Sequence, residues 1–264
     1  MTELACLDGR VAPAAETFIP ATDEGLLRGD GVFEVIRIYR GQPFALDEHL
    51  DRLERSAANL RLDAAPRAEL EKEVPRLLEE RGADFDAQLR IVLTRGGRRL
   101  VLTEQLAATP ERVRLACVTY APTRVLDGVK SLSYAANMLS SRIARERGFD
   151  EALLVTPHGR VLEAPTSTVF WVDGAGRLCT PPLDEHILAS ITRHKLMELV
   201  EVEERAVTAD ELKEQAQEAF VASTTREVQS VAAIEDREFP ETGEVTRKAA
   251  AALRAHVESV LGPG

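Results

Sequence analysis

Lysine is scarce in this chain. Of 33 basic residues only five carry an amine, Lys72, Lys130, Lys195, Lys213 and Lys248, and arginine supplies the rest. Cysteine is scarcer: Cys6, Cys117 and Cys179 stand far apart, with no CxxC pair and no Cys/His spacing. That excludes a disulfide framework and a zinc site, and the three thiols are expected to be buried. The histidines, His49, His158, His186, His194 and His256, show no metal spacing and read mostly as turn or helix-surface residues, so no metal is expected. No apolar run reaches the roughly 18 residues of a membrane helix, and Met1 to Pro20 lacks the charged-then-apolar order of a signal peptide; a cytoplasmic location is expected. A basic surplus is missing too. Lys plus Arg numbers 33 against 44 Asp plus Glu, a net charge of −11, which argues against nucleic acid as a partner and requires any anion to be held by a local site. No Ser/His/Asp elbow, P-loop or GxGxxG is present.

What is present is an ordinary globular balance, 44% hydrophobic and 29% charged, over 264 residues, enough for one large domain or two modest ones. CLDGRVAP reads as a hairpin, and GVFEVIRIYRGQPFAL as two strands around Arg40 and Gly41. DEHLDRLERSAANLRL places Leu50, Leu53, Ala57 and Leu60 at helical spacing, with Asp47 as N-cap. A second helix, RAELEKEVPRLLEERG, precedes strands AQLRIVLTRG and RVRLACVTYAP, the stretch between them reading as a loop. Further on come a helix after Lys130, a hairpin EALLVTPHGRVLEA, strands STVFWVD and one ending in TPP, helices over about 188–204 and 209–217, strands AFVAST and VQSVAAIE, and a last helix, Glu244 to Leu261. Hairpins interspersed with helices predict an α/β chain of mixed sheets rather than a doubly wound parallel sheet. The expected division is a smaller N-terminal domain over 1–119, a polar, proline-containing linker over 120–124, and a larger C-terminal domain over 125–264.

Four of the five lysines sit in helical patterns beside carboxylates, where a solvated ion pair accounts for them. Lys130 differs: in RVLDGVKSLSYAANMLSSRIARERGF it lies where a short apolar stretch after Gly128 gives way to the helix-period run Tyr134, Met138, Leu139, Ile143. Three segments have anion-site character. LASITRHKLMELV puts Ser190 and Thr192 at an expected helix N-terminus, which makes either an ordinary N-cap or a phosphate site. FVASTTREV ends an apolar strand in Ser223, Thr224 and Thr225, which either terminate a sheet or converge on a ligand. Arg52 in HLDRL is a surface cation or an anion ligand. Glu163, in GRVLEAPTSTVFWV, interrupts an apolar strand pair and is either an edge residue or a buried charge that needs a cationic partner.

The order of these features, an Arg in HLDRL, a Lys before a helix, a Glu in VLEA, then TPP, an ITR helix start and a strand ending STT, resembles class IV pyridoxal-phosphate enzymes. These are the branched-chain and D-amino-acid aminotransferases and aminodeoxychorismate lyase, and the match runs from Asp23 to Val228. The resemblance implies a two-domain fold-type IV enzyme with pyridoxal 5'-phosphate at the domain interface, and a homodimer. It implies that Lys130 forms the Schiff base with the cofactor and shuttles the substrate proton, and that Glu163 pairs with the pyridine nitrogen. Arg52, Ile191, Thr192, and Ser223 or Thr224 would grip the phosphate, with Leu188 packed on the ring. Amino acid and 2-oxo acid would be the substrates of the favoured reaction, transamination. The alternative is the lyase reaction, releasing pyruvate and 4-aminobenzoate.

The pattern departs from the family where Ala164 replaces a usual Gly, Thr168 a usual Asn, and Ser190 a common Gly. Relatives acting on D-amino acids resemble one another in a Tyr near the GDG motif and an Arg-x-His after the TRG strand. Here the positions read Phe33 and TRGGRRLVLTE, with no His, which weakens the D-amino-acid reading. Phe33 is either pocket wall or core. Arg98 or Arg99 would bind a substrate carboxylate, or form a solvated loop pair, and Thr225 completes the substrate-side set.

Overall fold

The computed structural model describes residues 3–63, 67–82 and 84–262, and these fall into two compact units. The first takes the chain up to residue 108 and adds 128–134. Its elements are β1 (Leu4–Leu7), β2 (Arg10–Pro13), α1 (Glu24–Arg28), β3 (Gly31–Tyr39), β4 (Gln42–Pro43), α2 (Leu46–Asn59), α3 (Arg67–Arg81), β5 (Ala87–Thr94) and β6 (Arg99–Glu104). All pairings are antiparallel, in the order β2-β1-β6-β5-β3-β4. One face of the sheet, with Cys6, Val32, Ile36, Ile38, Leu89, Ile91 and Val101, packs on Leu50, Leu53 and Ala57 of α2 and Leu70, Val74 and Leu77 of α3. Helix spacing on α2 and α3 and alternation on the strands thus meet in a single core.

The second unit takes 109–127 and the chain from 135 onward. It contains β7 (Val113–Thr119), α4 (Ala135–Glu146), β8 (Glu151–Val155), β9 (Thr168–Val172), β10 (Leu178–Thr180), α5 (Ile191–Leu199), β11 (Glu203–Glu204), α6 (Ala209–Gln215), β12 (Glu218–Ser223), β13 (Glu227–Ile234), β14 (Arg237–Glu238) and α7 (Glu244–Leu261). The strand order is β11-β10-β9-β12-β13-β7-β8, with β14 on β13, and the sheet is mixed: β7 runs parallel to both β8 and β13. Apolar residues cover both faces, Trp171 and Val221 on one and Phe170 and Phe220 on the other, the last two rings stacked with centroids 4.8 Å apart. No helix of the described residues is long and apolar enough to cross a membrane.

By contact the units divide between 108 and 109, with 128–134 in the first, since β7 hydrogen-bonds to strands far along the chain; the domain limits at 119 and 125 stay an expectation. Several other expectations need correcting. RLVLTE is strand β6, closing a hairpin with β5, and not a loop. The helix start at 46 is preceded by Ala45 at φ 56°, so Asp47 lies inside the first turn and not at the cap. Helix α5 begins at Ile191 and ends at Leu199, shorter than 188–204. Cys6 and Cys179 are buried but Cys117 is only partly so, and His49 is buried rather than on a helix surface.

Candidate active site

In the first unit β3 sorts its side chains by parity. Glu34 shares the core face of Val32 and Ile36 and is fully buried, so its charge requires partners from the covering helix. Helix α2 supplies them. Arg52 donates from Nε to Oε1 and from Nη2 to Oε2, both at 2.7 Å, and His49 Nδ1 lies 2.7 Å from Oε2. Burial pushes the Glu34 carboxyl up, but the charge and hydrogen bonds of Arg52, joined by His49, outweigh it and hold the group down at about 2. Burial moves His49 below its ordinary value despite Glu34, so the ring is neutral near pH 7 and donates its Nδ1 proton to a carboxylate that can only accept.

The opposite face of β3 carries Lys130. Segment 130–132 lies antiparallel to the start of β3: Phe33 N–H donates to Lys130 O at 3.0 Å and Leu132 N–H to Gly31 O at 2.9 Å, with Val32 opposite Ser131. This register sets Lys130 across from Phe33, on the same side. Its Nζ is 4.5 Å from the Phe33 ring centroid and 5.8 Å from that of Tyr134, and the two rings meet edge to face at 5.3 Å. Helix α2 fixes the main chain behind the amine, since Ser56 Oγ accepts the Lys130 N–H at 3.1 Å and Asn59 donates to Gly128 O at 3.3 Å. Gly128, at φ +71°, turns the chain onto this edge. Close approach also requires Gly31, where a Cβ would meet Leu93 O at 2.4 Å and Leu132 Cδ1 at 2.6 Å. Arg90 of β5, tied to Glu104 at 2.8 Å, stands 5.6 Å from the Phe33 centroid.

In the second unit residues beyond β8 fold back on it. Leu154 N–H donates to Glu163 O at 2.8 Å and Leu162 N–H to Leu154 O at 2.9 Å. The Glu163 carboxylate receives the Leu188 N–H, 3.4 Å from either oxygen, which joins the VLEA turn to the segment before α5. Burial, with Glu163 adding its charge, raises the Tyr120 hydroxyl above its ordinary range; Tyr120 faces Asn137, whose amide donates to Pro165 O at 3.1 Å. Past Pro165 the hydroxyls of Ser167 and Thr168 are buried without a partner. Ser190 caps α5, accepting from Arg193 N at 3.3 Å, and the first-turn N–H groups of Ile191 and Thr192 have no helical acceptor. Strand β12 ends at Ser223, and Ser223 Oγ accepts the Arg226 N–H at 3.4 Å across the turn through Thr224 and Thr225.

Within the first unit, then, Lys130 and Phe33 come together while Arg52 grips Glu34 on the reverse face of the same strand. Arg98 and Arg99 do not join them: Arg98 pairs with Asp8 at 2.8 Å and Arg99 with Glu73 of α3 at 2.5 Å. Within the second unit Glu163 meets Leu188. Sequence reasoning missed Glu34, His49, Arg90 and the contact of Tyr134 with the lysine. A charge inside the apolar run GVFEVIRIY was the one available signal for Glu34.

Taken separately, each unit carries residue types that suit pyridoxal phosphate: the first an amine on an aromatic wall, the second a carboxylate fixed by a backbone N–H, a serine-capped helix start and a three-hydroxyl turn. The family model for amino-transferase class IV matches residues 31–234. A putative branched-chain-amino-acid aminotransferase of Methanocaldococcus jannaschii is 34% identical over 269 residues, 92% of each chain. A D-alanine aminotransferase of Bacillus licheniformis is also 34% identical, covering 86% of this chain and 87% of its own. The crystal structure of a branched-chain aminotransferase of Thermoproteus uzoniensis with norvaline superimposes with a TM-score of 0.90 at 28% identity, covering 99% of this chain and 97% of that one.

Proposed function

Since the chain belongs to the class IV aminotransferases, we propose that it binds pyridoxal phosphate at Lys130 and transfers the amino group of an amino acid or amine to a 2-oxo acid. Bound there, the cofactor supplies an aldehyde that condenses with amines and a ring that accepts electrons. With the cofactor bound, Lys130 Nζ would be the group that accepts and returns the substrate α-carbon's proton; the segment that carries it is held on both sides, by Ser56 and by Phe33. Glu163 holds a proton on the pyridine nitrogen, and the Leu188 N–H keeps its carboxylate aimed. The Ile191 and Thr192 N–H groups, and Ser223 and Thr224, take the phosphate; Arg52, whose Nε and Nη2 are held by Glu34, could reach it only through Nη1. Leu188 packs on the ring, and Phe33, Tyr134 and Thr225 face the substrate. Arg98 and Arg99 stay with their carboxylates and are not part of this substrate set. A second copy of the chain belongs to the working enzyme; exposed Phe18, Leu26 and Leu27 support that reading.

The observation that carries the proposal is the placement of Lys130, among the described residues the one lysine fixed by its backbone to a strand edge with its amine on an aromatic wall. The lyase alternative has less support, since both relatives described above carry aminotransferase names. The test is an absorbance scan of the protein with pyridoxal phosphate, then L-leucine, L-glutamate, D-alanine or R-1-phenylethylamine added without acceptor. A visible band that bleaches with one donor supports amino transfer and names the donor class. A band that resists every donor points to the lyase reaction, and the absence of any band overturns the cofactor assignment.

A further inference from the structure

An ion pair at the Ser223–Arg226 turn, its carboxylate buried and its guanidinium partly so, has no part in the roles assigned above. Glu151, the first residue of β8, is 3% exposed, and every contact of its carboxylate is internal. Oε1 accepts from Ser141 Oγ of α4 at 2.5 Å and from Ala152 N at 3.1 Å, and Oε2 accepts from Arg226 Nη2 at 2.8 Å. Arg226 also donates from Nη1 to Gln229 Oε1 at 3.3 Å, and Gln229 is buried and bonded to Pro110 O. The cation therefore reaches inward from the residue that follows Thr225, across to the far strand of the sheet. Glu227, next along the chain, sits at φ 58°, a left-handed conformation that a side chain other than glycine adopts only under constraint from its surroundings.

These contacts hold the turn at its base: Ser223 Oγ accepts the Arg226 N–H, and the Arg226 side chain is tied to Glu151 of β8. We propose that Arg226 and Glu151 are positioning residues that set the Ser223–Thr225 turn for the phosphate of the bound cofactor. The proposal rests on the reading of that turn as a phosphate site. A largely buried pair of this kind contributes little net stability, but removing one partner leaves the other charged and unpaired, so the turn shifts or hydrates around it. A phosphate held by two or three short hydrogen bonds is sensitive to such a shift, because each bond to a charged group depends steeply on distance and angle.

The test compares two ligands that differ only in the phosphate. Dissociation constants of pyridoxal phosphate and of pyridoxal are measured by absorbance titration on the full-length wild type and on Arg226→Gln, Arg226→Lys, Glu151→Gln and Thr224→Ala. Arg226→Gln weakens pyridoxal phosphate about tenfold, while pyridoxal changes less than about twofold. Glu151→Gln does the same, and serves alone if Arg226→Gln fails to fold. Arg226→Lys, which keeps a cation for Glu151, recovers most of the affinity. Equal weakening of both ligands marks the pair as a general prop of the fold and overturns the inference, as does no change in either. If Thr224→Ala weakens pyridoxal phosphate but the two pair variants do not, the phosphate reading stands and the inference alone falls. If Thr224→Ala and the pair variants all leave pyridoxal phosphate unchanged, the phosphate reading of the turn falls with it.

Discussion

Replacing Glu34 by glutamine keeps the shape of the side chain but removes the charge that Arg52 and His49 converge on. Arg52 is then a guanidinium 6% exposed with no counter-ion behind β3. Breaking a buried pair from one side costs about 3–5 kcal/mol. The ionisation of Glu34 gives an independent figure. Its carboxyl is held at about 2 against an ordinary 4.5. At about 1.4 kcal/mol for each pH unit, that is about 3 kcal/mol of coupling. For a group depressed in the folded state, the stabilisation is fully present above the unfolded value near 4.5. It is lost as pH falls from there through about 2. Urea unfolding of wild type and Glu34→Gln at pH 7, 5, 4 and 3 thus shows a gap of about 3 kcal/mol at pH 7 and 5, shrinking toward pH 3; at pH 7 the melting temperature of the variant is lower by about 6–12 °C. A gap below about 1 kcal/mol, or one that stays constant across this range, would refute the reasoning.

Three further outcomes follow from the same geometry. Lys130→Ala abolishes the covalently held cofactor and lowers turnover by orders of magnitude, whereas Lys195→Ala, on α5 beside Glu198, does neither; absorbance and initial rates decide it, and equal effects overturn the assignment. Gly31→Ala drives a Cβ into Leu93 O and Leu132, costs about 1–3 kcal/mol, and loosens the segment that carries Lys130, so cofactor retention on dialysis falls. Thr168→Val removes a buried hydroxyl that has no partner, and the cofactor-free protein should gain about 1 kcal/mol in urea unfolding; a loss instead would show that the hydroxyl is bonded through water.

Much of this arrangement could be read from the chain because it is local. Lysine scarcity isolates Lys130, the serine before ITR marks the cap that Ser190 forms, and a carboxylate after the apolar pair Val161 and Leu162 marks Glu163, although the structure leaves it outside any strand. What could not be read depends on partners distant in sequence. Glu34 looks like an outward-facing strand residue until Arg52 and His49 of α2 close over it, and the same closure makes a core residue of His49. β7 follows the first sheet in sequence yet pairs in parallel with β8 and β13, an association with no local signature. β6 did carry a signal. Val101 and Thr103 alternate after the turn at Gly96 and Gly97, but three neighbouring arginines gave the stretch the look of a loop. Leu188 and Ala189 continue the apolar run of α5 in sequence, yet the helix starts only at Ile191, because the Leu188 N–H is taken by Glu163.

The central claim is that Lys130, alone among five lysines, holds the cofactor. Borohydride reduction of the protein loaded with pyridoxal phosphate, followed by proteolysis and peptide mass mapping, tests it directly. The account predicts the phosphopyridoxyl group on the Lys130 peptide and on no other. Label on Lys72, Lys195, Lys213 or Lys248 in place of Lys130, or no label at all, would contradict it.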